Sequence, residues 1–259
     1  MPNFAANLSL MYTEFEFYDR FSAAANDGFK GVEFLFPYEW PASNVAEWQE
    51  AAGVAQALFN APPGNWNQNE RGLAALPGRE TEFQEGIGKA LEYATALSCP
   101  RIHVMAGLRP ENVAESVLYD TYELNLYYAA GEAAKQDCNI IIEPINSRDV
   151  PRYFLNRQAD AHRVIDSLGL PNLRVQMDLY HVQIVEGDLA MKIRKHINKV
   201  DHFQIAGVPN RHEPNIGEVN YPFLFDLIDE LNFEGWVGCE YRPIKGTSAG
   251  LGWADRYLG

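Results

Sequence analysis

Four short apolar runs in the second half of the chain each carry an oxygen-bearing side chain at or near their ends. They read IIIE (Glu143), VQMD (Asp178), HFQ (Gln204) and VGCE (Glu240), at steps of 35, 26 and 36 residues, each about one strand-plus-helix unit. A carboxylate inside or just beyond a buried strand is costly unless it is paired or binds a cation. At one end of neighbouring parallel strands, the four would form a site of three carboxylates and one amide oxygen. Oxygen-only donor sets suit hard divalent cations.

Each residue also has a plainer reading. Glu143, between Ile140-Ile141-Ile142 and Pro144, fits a rim carboxylate paired with an arginine. Glu240 has Arg242 two residues on, and residues i and i+2 of a strand share a face. Asp178 is harder to explain away, because Leu179-Tyr180-His181 follow it. Asp-x-x-His at a strand end sets a metal ligand beside a substrate contact. Gln204 gains weight only from its place between the others. Among the histidines, His181 is the expected ligand-contacting residue. His103, mid-strand in RIHVM, reads as a core residue or a contact. His202, at a strand start, reads as structural, and His162 and His196 as surface residues on helices. Arg211 falls in a loop after the seventh strand, where anionic groups often bind in barrels. A guanidinium there could grip a carboxylate in bidentate fashion. Residues 60–66 read as a long loop at the same end, a candidate lid.

The elements that must position these residues alternate. Strand patterns occupy 4–9, 31–36, 57–61, 101–107, 139–145, 174–181, 202–207 and 236–243. Most are nearly continuous apolar runs, as parallel strands covered on both faces require. Helical patterns occupy 14–27, 81–97, 116–135, 158–168, 188–198 and 221–231, with a less regular one at 41–52. Eight such units in 259 residues predict one (β/α)8 barrel domain spanning 1–259. A doubly wound sheet is the alternative, but the first strand ends in Asn7-Leu8-Ser9 without the glycine-rich turn of a nucleotide site.

Composition narrows the partners. The net charge is −14, which disfavours nucleic acid and anionic membranes. No apolar run approaches the roughly 18 residues of a membrane span. The opening MPNFAANLSLMYTEFEF lacks a basic stretch and reads as a first strand, not a signal peptide. Cys99, Cys138 and Cys239 are widely spaced beside apolar runs and read as buried free thiols. A cytoplasmic enzyme is therefore expected. Exposed aromatic loops would serve as a lid or as the interface of a homo-oligomer.

Taken together, FAANLS, GVEFLFPY, ALPGRE, IIIEPIN, QMDLYH, HFQIAG, RHEPNIGEVNY and GWVGCEYRP resemble, in order and over nearly the whole chain, the hydroxypyruvate isomerase family. That family sits among the xylose-isomerase-like sugar isomerases and epimerases. The resemblance implies a single TIM barrel with one Mg²⁺ or Mn²⁺ at its strand ends. It implies acid/base roles for Glu143 and Glu240, and metal ligation by Glu143, Asp178 and Glu240. The fourth ligand of related ketose epimerases is a histidine, where this chain has Gln204. His181 and Arg211 match substrate-contacting positions, and His103 joins them as a candidate contact. The implied reaction interconverts hydroxypyruvate and tartronate semialdehyde through an enediolate, so the partner is a small hydroxy-oxo acid. The alternatives are a 2-oxo-tetronate isomerase or a ketose 3-epimerase on the same site, a metal-dependent DNA-repair nuclease, and a non-catalytic sugar or metal binder. The nuclease would want more histidine or carboxylate ligands and a basic face.

Overall fold

A computed structural model describes residues 1–258. Eight parallel strands close into a barrel in chain order. They are β1 Asn3–Asn7, β2 Gly31–Phe34, β3 Ala55–Asn60, β4 Arg101–His103, β5 Asn139–Ile142, β6 Leu173–Asp178, β7 Val200–Ile205 and β8 Trp236–Cys239. The outer layer is α1 Phe17–Asn26, α2 Ala42–Ala52, α3 Glu80–Ala96, α4 Glu115–Ala134, α5 Gln158–Leu168, α6 Leu179–Val185, α7 Leu189–His196 and α8 Tyr221–Glu230. No helix among the described residues is long and apolar enough to cross a membrane.

Strand alternation explains where the chemistry goes. Asn7, Glu33, His202 and Gln204 hydrogen-bond to one another across the lumen, so these positions face inward. Their strand neighbours must face the helices. Those neighbours are apolar and buried: Ala6, Val32, Phe203 and Ile205, with Ile140, Ile142, Val175 and Met177 on β5 and β6. The helices cover them with apolar stripes, such as Phe83, Ile87, Leu91 and Ala94 of α3. The lumen itself is unusually polar for this architecture, which normally fills with branched aliphatics.

Several expected boundaries shift for identifiable reasons. The sixth strand stops at Asp178, not His181, because the Asp178 carboxylate accepts the Tyr180 amide (2.8 Å) and caps α6. The first helix starts at Phe17, because the Glu14 carboxylate accepts the distant Thr247 amide (2.9 Å) instead. The run 188–198 becomes α7 followed by a 3-10 turn, Ile197–Lys199. After β8 the chain closes with a 3-10 turn, Ser248–Trp253.

His162 is not a surface residue. It lies on the inner face of α5 between Ala161 and Ile165, 5% exposed, and stacks on His196 at 3.8 Å between ring centroids. Neither ring nitrogen has a hydrogen-bond partner. Burial, then the positive charge of His196 and the nearby lysines, pulls its pKa from 6.5 to about 3. The unfolded chain therefore binds a proton below pH 6.5 that the folded chain refuses until about pH 3. Stability falls as pH drops through that window, by about 1.4 kcal/mol per pH unit for one such group. Denaturant unfolding of His162→Leu at pH 7 and pH 5 should show a smaller acid-side loss than the parent, by about 2 kcal/mol.

Candidate active site

The C-terminal ends of the strands open into a cavity of about 790 Å³. Glu143 and Glu240 each stand one residue beyond their strands, Asp178 ends β6, and Gln204 is the penultimate residue of β7. All four are at most 6% exposed. All four lie at the C-terminal strand ends, but of the three acids only Glu143 and Asp178 fall, together with His181, in a group close enough to hold one ion, and Glu240 is not part of it.

Two of the three acids meet one guanidinium here, and Glu143 stands within reach of its charge. Arg211 Nη2 donates to Glu240 Oε2 at 2.6 Å and lies 3.7 Å from Asp178 Oδ2. Its Nε reaches the Glu240 carbonyl oxygen (3.3 Å), and its guanidinium sits 5.0 Å from the centre of the Tyr180 ring. Arg211 holds a left-handed backbone (φ 58°), a conformation costly for a residue with a β-carbon. Arg242, the sequence-level partner for Glu240, is exposed and forms no ion pair among the described residues. The cross-strand arginine from the β7–α8 loop takes its place.

Charge crowding shows in the acids. Burial, reinforced by the charges of Asp178 and Glu240, pushes the Glu143 carboxyl well above its usual range. Burial raises Asp178 to about 6, opposed by Arg211 and by the Tyr180 and His181 amides. Burial likewise raises Glu240 to about 7, again opposed by Arg211. Fully ionised, three carboxylates and one guanidinium leave two negative charges uncompensated. A divalent cation matches that deficit.

The donor atoms also fit a cation. Glu143 Oε1 and Asp178 Oδ2 are buried without a hydrogen-bond partner. One ligand atom each from Glu143, Asp178 and His181 falls within 4.8 Å of the others. A buried Glu/Asp/His group able to bind a metal is thus present. The hydrogen-bond network separates the roles of its members. Asn146 Oδ1 accepts the Asp149 amide (2.8 Å), so Asn146 Nδ2 faces His181 Nδ1 at 2.6 Å. With Nδ1 accepting, the neutral ring carries its proton on Nε2. That N–H faces Asp178 Oδ2 (3.4 Å) and Glu143 Oε1 (3.8 Å). His181 is then a donor, and burial, then Arg211, keeps it neutral by pulling its pKa well below 6.5.

His103 presents the opposite face. Its Nδ1 contacts Asn60 Oδ1 (3.2 Å), and its Nε2 lies 3.6 Å from Glu143 Oε2 without a hydrogen bond. With Nδ1 donating, Nε2 is an acceptor aimed into the site.

Glu33 was missed in the sequence reading. It is fully buried and accepts from Asn7 Nδ2 (2.9 Å) and Gln204 Nε2 (2.8 Å), with His202 Nε2 at 2.6 Å. The Gln204 oxygen in turn accepts from Gln176 Nε2 (2.5 Å). Gln204 is therefore oriented from below by Glu33 and Gln176. The available signal was an acid inside the apolar run GVEF.

Residues 21–257 match the family model described as xylose isomerase-like TIM barrel. A 2-oxo-tetronate isomerase of Cupriavidus necator is 58% identical over 259 residues, covering all of both chains. A hydroxypyruvate isomerase of Escherichia coli is 41% identical, covering 99% of this chain and all of that one. A crystal structure described as AP endonuclease, family 2, from Brucella melitensis superposes with a TM-score of 0.97 at 45% identity, covering 99% of each chain. The chain belongs to the xylose isomerase-like TIM barrel family, and it is an isomerase of the branch that holds these full-length relatives.

Proposed function

We propose that this enzyme shifts a carbonyl between C2 and C3 of a short 2-oxo acid that carries a hydroxyl on C3. The observation that carries the reading is the clustering of Glu143, Asp178 and Glu240 at a buried, oxygen-rich site where one guanidinium pairs with Asp178 and Glu240. The higher identity to a 2-oxo-tetronate isomerase, 58% against 41%, puts a four-carbon acid ahead of hydroxypyruvate. Hydroxypyruvate is the second reading, because the same proton transfers on the three-carbon acid give tartronate semialdehyde. A DNA substrate is disfavoured by the net charge of −14.

Glu143, Asp178 and Glu240, with the Gln204 amide oxygen, are the residues that would hold Mg²⁺ or Mn²⁺. Once bound, that cation supplies electrostatic stabilisation of charge on the substrate oxygens. The remaining steps belong to side chains. One glutamate removes the C3 proton, and the electron pair forms the C2–C3 double bond of an enediolate. The hydroxyl proton passes from O3 to O2, with the His181 N–H and the His103 lone pair placed to donate and to accept. The C2 carbon then takes a proton from the opposite glutamate, C3 becomes the carbonyl, and proton exchange with solvent returns both glutamates to their starting states. Burial raises the Glu240 carboxyl to about 7, opposed by Arg211, and a bound cation would pull it back down. No electrons enter or leave.

Proton NMR in D₂O tests this. Metal-loaded protein should incorporate deuterium into 2-oxo-tetronate and form the 3-oxo isomer, with slower exchange on hydroxypyruvate and little on neutral ketoses. Faster turnover of a neutral ketose than of either acid would overturn the substrate class.

A further inference from the structure

An anionic substrate needs a cation, and the obvious one is already engaged. Arg211 spends its charge on Glu240 and Asp178. A substrate carboxylate gripping it would compete with a contact of 2.6 Å and strip Glu240 of its partner. Arg148, also on the cavity wall, donates to the Tyr180 hydroxyl (3.2 Å) and the Pro209 carbonyl (2.9 Å) and lies 3.6 Å from Asp149. Two wall guanidiniums remain without a carboxylate among the described residues, Arg71 and Arg242.

These two differ in preparation. Arg242 is exposed, without a side-chain hydrogen bond. Arg71 is half-buried and fixed. Its guanidinium lies 3.8 Å from the centre of the Trp66 ring, and its Nη1 donates to the Trp66 (3.1 Å) and Glu70 (2.7 Å) carbonyls. Trp66 packs in turn on Phe36 at 5.0 Å. Nε and Nη2 make no hydrogen bond, so one N–H edge of the fork is left free. Burial unopposed by any acid pulls the Arg71 pKa down.

The backbone sets this guanidinium opposite Arg211. Gly72 pairs with Ala106, three residues beyond His103, and its amide donates to Pro63 (2.9 Å). A β-carbon on Gly72 would lie 2.6 Å from the Met105 β-carbon, so this close approach requires glycine, which also supplies the φ of 111°. Arg71 is thereby pinned on the β3–β4 side of the mouth, while Arg211 and Arg242 belong to the β7–β8 side.

We propose that Arg71, stacked on Trp66, takes the substrate carboxylate and so restricts the site to acids. The assignment rests on the proposed function, since it presumes an acid whose C2 and C3 oxygens lie among Glu143, Asp178 and Glu240. A planar guanidinium with a free edge binds a carboxylate in bidentate fashion, and stacking removes most of the ordering cost. A neutral ketose gains nothing from it. A local cation also offsets the −14 field that repels anions.

The test compares 2-oxo-tetronate with its neutral amide in the D₂O exchange assay, using the metal-loaded parent, Arg71→Gln, Arg71→Lys and Arg242→Gln. Arg71→Gln should raise KM for the acid and lower kcat/KM by about 100-fold, with kcat changed far less. Turnover of the amide should be unchanged. Arg71→Lys should recover part of the loss, and Arg242→Gln should behave as the parent. Equal loss on acid and amide, unchanged acid kinetics in Arg71→Gln, or an acid-selective loss in Arg242→Gln would each overturn the assignment. A parent inert towards every 2-oxo acid removes the proposed function and this assignment together. An active parent with unaltered Arg71→Gln kinetics removes the assignment alone.

Discussion

Glu240→Gln should lower turnover by about 10³–10⁴-fold, and Glu143→Gln by a similar factor, with the barrel intact. The substitution is nearly isosteric, and glutamine's oxygen can still accept from Arg211, which holds Glu240 Oε2 at 2.6 Å. What disappears is the ability to take and return a proton. Each substitution also removes one negative charge from three crowded acids, of which only Asp178 and Glu240 pair with Arg211. Metal affinity should therefore fall together with the rate. In excess chelator the variants should be more stable than the parent, because burial drives all three carboxyls above their usual range and each substitution removes one of these crowded charges. Groups that act as a unit lose their effect together, so the double variant should be scarcely slower than the worse single. The measurements are deuterium exchange at C2 and C3 and thermal unfolding in excess chelator. A Glu240→Gln enzyme within tenfold of the parent would remove Glu240 from the proton relay.

The three strand-end acids were legible because a carboxylate at the end of an apolar run is costly unless it is paired or binds a cation, and Gln204 only through its place between them. Glu143 after three isoleucines and Asp178 after VQM mark their strands, although the expected strands ran on to 145 and 181, beyond the observed ends at Ile142 and Asp178. Their gathering follows from barrel topology, which places successive parallel strands side by side. What stayed hidden depends on contacts between distant segments. Glu240 has Arg242 two residues away, yet pairs with Arg211, because the loop after β7 folds back over the neighbouring strand end. Helix α6 could not be read from LYHVQIV, whose apolar pattern continues that of β6. The switch comes from Asp178 turning back to cap the Tyr180 amide. His162 was assigned to the surface on residue type, but its place between Ala161 and Ile165 on the inner face of α5 decides its burial.

The layer beneath the site carries the second large effect, at Gly238. This glycine pairs with Gln204 in the β7–β8 register, and its missing side chain makes room for Glu33. A β-carbon there would lie 2.5 Å from the Glu33 carboxyl carbon and Oε1, far inside van der Waals contact. A surface glutamate would swing aside at little cost. Glu33 cannot, because it is fully buried and held by Asn7, Gln204 and His202. Displacing it strands a buried carboxylate and leaves three partners unsatisfied, a loss of about 3–5 kcal/mol. Gly238→Ala should accordingly lower Tm by on the order of 10 °C. It should also weaken metal binding, since Gln204 loses the acceptor that fixes its amide. Gly131→Ala is the control: a β-carbon there meets nothing within 4 Å, inside α4, and alanine should be neutral or stabilising by up to about 1 kcal/mol. Equal melting of the Gly238 variant and the parent would mean that Glu33 has another berth in the lumen. The orientation of Gln204 would then have to come from Gln176 alone.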